Sequence, residues 1–214
     1  MFGFKKKEKW TEINWMDFRR LVFKTANALR SAGIAENDKV AIYSDNSAEW
    51  ITTDLAIMSL GAVTVPIYST SNEEQSEYIL NESECKIILV GNQEQYDAAY
   101  AISQRNNGLQ QIIAAKKSIW IKKENSQYFE DFIKRSAETF DIVSKEDDDL
   151  ATIIYTSGTT GVPKGVMITH GNFHKAVEAH FDFFKFKDFH EETSRAFVPL
   201  THVFERSWTL LALS

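Results

Sequence analysis

The stretch YTSGTTGVPKG, Tyr155 to Gly165, decides how this chain folds. It carries Thr156, Ser157, Thr159, Thr160 and Lys164 among three glycines, and it lies between the apolar runs LATIIY and GVMIT. A strand-to-helix phosphate loop needs Gly, four residues, then Gly-Lys-Ser/Thr opening directly into a helix. Here Pro163 precedes the lysine, Gly165 follows it, and the chain continues as the strand-like VMIT. A kinase or GTPase loop of that kind is therefore disfavoured, and a loop joining two strands is expected. The chemistry still suits phosphate. Gly158 and Gly161 let the backbone bend and approach a ligand closely. Successive N–H groups in such a bend form an anion-binding concavity. The four hydroxyls add donors, Lys164 adds a mobile positive charge, and Pro163 stiffens its approach. From the residues alone, phosphate binding and a polar turn without chemical role stand level.

Outward from this loop, strand and helix signals alternate. Asn14 can cap a helix whose stripe is Trp15, Phe18, Val22, Ala26 and Leu29, with Gly33 as its stop. KVAIYS reads as a buried strand. Asn46 and Glu49 offer a cap for a helix running to Gly61. AVTVPIY is the next strand, and SNEE, from Ser71 to Glu74, reads as a capping box opening a helix to about Ser83. CKIILVG, a helix over Gln93 to Gln104, and LQQIIAA follow. HGN then leads into a helix capped by Asn172. Continuous β-branched strands alternating with helices predict an α/β fold, layered αβα, with a mostly parallel sheet.

Composition bounds the function. The 214 residues carry a net charge of −6, which argues against a dedicated nucleic-acid binder with its basic face. The single cysteine, Cys85, excludes an internal disulfide and fits a reducing compartment. No apolar run is long enough to span a membrane. The N-terminal MFGFKKKEKW is read as a solvated, partly disordered end, with contact to a membrane surface as the alternative. SKEDDD, Ser144 to Asp149, is read as an acidic linker. It divides residues 1–143, an α/β subdomain portion, from residues 150–214, which bear the loop.

Two further features compete with plainer readings. Phe181 to Phe189, FDFFKFKDF, could line an acyl tunnel or touch lipid, but aromatic residues belong to a core by default. His174 and His180 are six apart, which is not metal-ligand spacing on one helix face. His170 and His174 have the spacing, without a third ligand nearby.

The run YTSGTTGVPKGVMITHGN resembles the phosphate-loop signature of the adenylate-forming enzymes: acyl-CoA synthetases, luciferases and peptide-synthetase adenylation domains. Residues 37–91 resemble the first subdomain of that family. VPLTHVFERSW resembles a motif of long-chain fatty acyl-CoA synthetases, with Tyr68-Ser69-Thr70 in support. The resemblance runs from about Trp10 onward. It implies the N-terminal portion of the family's large domain. The reaction it implies is ATP-driven formation of an acyl-adenylate and pyrophosphate, then thioester formation with coenzyme A. By resemblance, Thr156, Ser157, Gly158, Thr159, Thr160, Gly161 and Lys164 hold the ATP phosphates, and His202 lies near the acyl carboxylate and adenylate. Some bacterial relatives place a tunnel-gating Trp four residues after this His, where this chain has Arg206. Glu205 and Arg206 could simply pair with each other or with neighbours.

The family's Tyr-Gly-x-Thr-Glu stretch, whose Glu helps bind Mg²⁺, its ribose-binding Asp and its late lysine have no counterpart before Ser214. The chain is therefore expected to be an N-terminal fragment that lacks the C-terminal portion of its own protein and is inactive alone. Its expected partners are ATP, a fatty acid and coenzyme A, in the cytoplasm, with peripheral contact at the inner membrane surface as an open question. Two alternatives stand: an adenylating ligase for another carboxylic acid, and a non-catalytic domain that binds a nucleotide or a partner.

Overall fold

A computed structural model describes residues 2–6, 9–106, 108–122, 124–157, 163–184 and 194–213. The first element is not an unstructured end. Strands β1 (Phe2–Lys6) and β2 (Lys9–Ile13) pair antiparallel, from Phe2 opposite Ile13 to Lys6 opposite Lys9. Ile13 anchors the hairpin by packing on the core, a long-range contact that the charged N-terminal run conceals.

Helix α1 (Trp15–Ser31) begins as expected: the Asn14 side chain accepts from the Asp17 N–H at 2.9 Å. It ends at Ala32, and Gly33 turns the chain at φ +89°, where a side chain would be strained. Then follow β3 (Lys39–Tyr43), α2 (Ala48–Ser59), β4 (Val63–Ile67), α3 (Glu73–Ser83), β5 (Ile87–Val90), α4 (Gln93–Ser103) and β6 (Gln111–Ala114). Two caps sit one residue away from their expected places. Ser47, rather than Asn46, caps α2 by accepting from the Trp50 N–H. Asn72 and Gln75, rather than Ser71 and Glu74, form the reciprocal box of α3. Both shifts follow from having several good capping residues in a row, which propensity cannot rank.

The chain continues through β7 (Ser126–Tyr128), the short α5 (Phe129–Ile133), β8 (Leu150–Ser157), β9 (Pro163–Thr169), α6 (His170–Phe184) and α7 (Val203–Leu213). Seven strands form one sheet in the order β7-β6-β5-β3-β4-β8-β9. All neighbours are parallel except β8 and β9. The period of two along each strand sorts side chains to the two faces. Val40, Ile42, Ile87 and Leu89 pack with α1 and α2 residues such as Leu29, Trp50 and Ile57. Ala41, Tyr43, Ile88 and Val90 pack with α3 and α4 residues such as Leu80 and Tyr96. Two apolar layers against one sheet make the αβα fold that the strand and helix alternation predicted.

Within the acidic run, Asp147 and Asp148 are exposed, while the Lys145 ammonium meets Glu36 at 2.9 Å and Asp149 at 3.6 Å. The Gly171 N–H donates to the Asp147 carbonyl at 2.8 Å, so this run contacts the start of α6.

Candidate functional site

Strands β3, β4, β5 and β8 run parallel, so Tyr43, Ile67, Val90 and Ser157 end on one edge of the sheet. The chain passes from β3 to β4 on one side and later to β5 on the other. Such a reversal of strand order leaves a crevice outside the carboxyl ends, where open α/β sheets bind ligands.

The hydroxyl-rich stretch leaves the sheet and re-enters it at this edge, at Ser157 and Pro163. Strands β8 and β9 form an antiparallel ladder that closes at Ser157 opposite Pro163. The loop therefore joins two strands, as the proline before Lys164 suggested. Thr156 and Lys164 stand directly opposite each other, and both are exposed. Directly opposed residues share a face, so a hydroxyl and an ammonium flank the loop base together. Tyr155, one residue earlier, points to the other face; it is buried, with its ring 6.5 Å from that of Tyr78. Gly158, Thr159, Thr160 and Gly161 lie outside the described residues, and of Ser157 only the backbone is described.

The segment that leads to His202 is tied to the same edge by a separate route. Asn46, in the turn after β3, donates to the Val198 carbonyl at 2.7 Å and accepts from the Leu200 N–H at 2.8 Å. An asparagine read as a helix cap thus clamps a segment 152 residues away. Next, the His202 N–H donates to the Pro199 carbonyl, and α7 begins. The His202 ring is exposed, with Nδ1 accepting from the Phe204 N–H at 3.3 Å.

Glu205 and Arg206 do not pair with each other. Glu205 Oε2 accepts from the Val198 N–H at 3.2 Å, and Oε1 has no partner among the described residues. Burial holds this carboxyl above the ordinary Glu range, and the Val198 N–H offsets it only in part. Arg206 instead reaches Asp54 in the middle of α2, with Nε to Oδ2 at 2.8 Å and Nη2 to Oδ1 at 2.6 Å. Both side chains are 0% exposed. Asp54 Oδ1 also accepts from the Thr64 hydroxyl at 2.7 Å, and the Thr64 carbonyl accepts from the Thr152 hydroxyl at 2.6 Å. The one sequence signal for this network is an acid inside the apolar helix WITTDLAIMS, where an unpaired charge would be costly.

At the opposite end of the β8–β9 ladder, α6 is capped by a reciprocal pair. The Thr169 hydroxyl accepts from the Asn172 N–H, and the Asn172 side chain accepts from the Thr169 N–H. Asn172 is therefore the inner partner of the box and Thr169 the cap. His170, beside it, is held below its ordinary pKa by burial first, then by the charges of Lys145 and Arg206. Among the described residues no three His, Cys, Asp or Glu side chains converge as metal ligands. Phe181, Phe183 and Phe184 belong to neither apolar layer and are exposed. Phe184 meets Trp208 edge-on at 5.2 Å, so these rings join α6 to α7 rather than to the sheet. Phe186 and Phe189 lie outside the described residues. An apolar hollow of about 290 Å³ beside Ile13, Phe18, Leu21 and Phe129 includes none of the candidate site residues. Among the described residues, no helix is long and apolar enough to cross a membrane.

Comparison with known proteins adds three findings. The profile of the family described as AMP-binding enzyme matches residues 3–214. A human long-chain-fatty-acid–CoA ligase is 33% identical over 204 residues, covering 92% of this chain and 30% of its own. A Mycobacterium bovis protein of the same description is 29% identical over 203 residues, covering 95% of this chain and 34% of its own. The chain thus spans about a third of the length of these curated relatives. Among solved structures, an anthranilate CoA ligase in complex with anthranoyl-AMP superposes with a TM-score of 0.73 at 25% identity, covering 78% of this chain and 32% of that one. MatB from Rhodopseudomonas palustris with ATP bound superposes with a TM-score of 0.78 at 24% identity, covering 94% and 39%.

Proposed function

Since this chain belongs to the AMP-binding enzyme family, we propose that it supplies part of the active site of an ATP-dependent acid–CoA ligase whose acid is a long-chain fatty acid. The observation that carries this reading is the strand-to-strand connection on the carboxyl edge of a parallel sheet, with Thr156 and Lys164 paired at its base and the segment before His202 tied to the turn after β3 by Asn46.

In the first half-reaction a carboxylate oxygen attacks the α-phosphorus of ATP. The new C–O–P bond forms as the bond from the α-phosphorus to the bridging oxygen breaks, and pyrophosphate departs with the electron pair. Both reactants are anions, so the step needs neutralisation and alignment more than covalent help. Lys164, Thr156, Ser157 and the loop residues Gly158, Thr159, Thr160 and Gly161 would grip the β- and γ-phosphates. They favour the rate where their bonds strengthen on the departing charge. His202 would contact the acyl carboxylate and then the adenylate. In the second half-reaction the coenzyme A thiol loses its proton, sulfur attacks the activated carbonyl, and AMP leaves. Magnesium would accompany ATP and neutralise part of the phosphate charge.

The long-chain preference is supported by the curated relatives, both described as long-chain-fatty-acid–CoA ligases. The test is acid-dependent ATP–pyrophosphate exchange by the whole protein that carries this chain, with fatty acids of graded length, aryl acids and amino acids. Strongest exchange with long fatty acids is expected. Exchange with aryl or amino acids alone would replace the substrate. Binding of ATP in a calorimeter without exchange on any acid would make this a binding domain.

A further inference from the structure

We infer that Arg206 is a positioning residue: its forked pair with Asp54 sets α7 so that His202 is held in register with the strand leading to the hydroxyl-rich loop. His202 and Arg206 are one helical turn apart, and the Arg206 N–H donates to the His202 carbonyl at 3.2 Å as α7 opens. A displacement of Arg206 is thereby passed to His202. On its other side Arg206 is fixed in distance and angle by two bonds to one carboxylate, 2.6 and 2.8 Å long. From Asp54 the connection continues through the Thr64 hydroxyl and the Thr64 carbonyl to Thr152 of β8, three residues before Tyr155. Arg206, Asp54, Thr64 and Thr152 are all fully buried. A path of hydrogen bonds thus runs from His202 to Thr152 of β8, the strand that leads into the hydroxyl-rich loop.

Burial argues for placement rather than stability as the purpose. A buried ion pair is often matched or bettered by apolar residues of the same volume, and its best-attested use is to fix register. The guanidinium also lies 5.1 Å from the centre of the Phe173 ring, so α6, α7 and α2 meet at this one group. Its described hydrogen bonds all go to Asp54, and Nη1 has no acceptor among the described residues. Lysine would keep the charge but not the planar fork.

The test uses the whole protein that carries this chain, with Arg206→Lys, His202→Ala and the two combined. A first arm needs no turnover: in protein labelled with ¹⁵N-histidine, the His202 Nδ1 resonance reports its bond from the Phe204 N–H. It is expected to shift in folded Arg206→Lys, and an unshifted resonance overturns the inference. The second arm rests on the acid-activating reading above. There Arg206→Lys is expected to lower kcat/KM for the acid by roughly 10-fold or more, but by no more than about twofold when His202 is already alanine. Equal losses in both backgrounds overturn it. Asp54→Glu keeps the charge, moves the carboxylate by one methylene, and carries the same expectation if Arg206→Lys does not fold. Failure of both to fold makes the pair a structural strut and overturns the inference too. Wild-type protein without exchange on any acid would refute the reaction, while the resonance arm would still decide the role of Arg206.

Discussion

Gly165 lies opposite Tyr155 in the β8–β9 ladder, where a Cβ would stand 2.8 Å from Ile153 Cγ2 and 3.2 Å from the Tyr155 ring. The glycine after the lysine is therefore a packing requirement of the strand that carries Lys164. Gly165→Ala is expected to destabilise the fold by about 1–3 kcal/mol through overpacking, read from urea denaturation. A midpoint at the wild-type value would show that Ile153 and Tyr155 move aside freely.

Lys164 tests the phosphate assignment separately from the fold, since its side chain is exposed. Lys164→Ala is expected to cut pyrophosphate exchange by about 10²-fold, the usual cost of losing one donor from a developing charge. Its melting temperature should stay near that of wild type. Unchanged exchange would remove Lys164 from the site.

Glu205 gives a pH signature. Burial raises its pKa, so the folded chain binds this proton more tightly than the unfolded chain does. The folded state is thus favoured in acid and loses this advantage as pH rises from the ordinary Glu range through the raised value. Glu205→Gln has no such loss and can still accept from the Val198 N–H. Thermal melts of the two proteins are expected to agree in acid and to diverge toward neutral pH, with the variant the more stable. A gap independent of pH would contradict this.

Breaking one side of the Asp54–Arg206 pair should cost far more than removing both. Arg206→Met leaves the Asp54 carboxylate buried with, among the described residues, the Thr64 hydroxyl as its one side-chain donor; a loss of about 3–5 kcal/mol is expected. The double variant Asp54→Leu with Arg206→Met should be more stable than Arg206→Met alone. A double variant no better than the single one would mean that the charge of Asp54 is relieved by another group.

The αβα layering was legible because KVAIYS, AVTVPIY, CKIILVG and LQQIIAA are long β-branched runs separated by helix signals. Their pattern reflects burial on both sheet faces, which acts locally on each residue. The loop between strands was legible because Pro163 breaks the Gly-Lys-Ser/Thr pattern and the VMIT run reads as a strand, which disfavours a strand-to-helix phosphate loop. What the sequence hid was set by distant partners. Ser126–Tyr128 is a strand only because β6 is beside it. Asn46 looked like a cap because its real partners lie at Val198 and Leu200. Asp54 and Arg206 are each an ordinary charged residue until folding brings them together. The exposed phenylalanines of α6 mark the limit of the rule that aromatic residues are core residues.

The meeting of Thr64 with Thr152 spans 88 residues of chain, and this sets a timetable for biosynthesis. A ribosome adding about 5–20 residues per second takes roughly 4–18 s to cover that interval. Meanwhile β4, whose five residues are all buried in the finished fold, is the open margin of a growing sheet. Such a margin invites pairing with other chains. Pro66 lies within β4 and withholds one N–H from it, a guard against that hazard during the wait. The hydroxyl-rich loop follows β8 in the chain, so it emerges only after the strand that closes this margin.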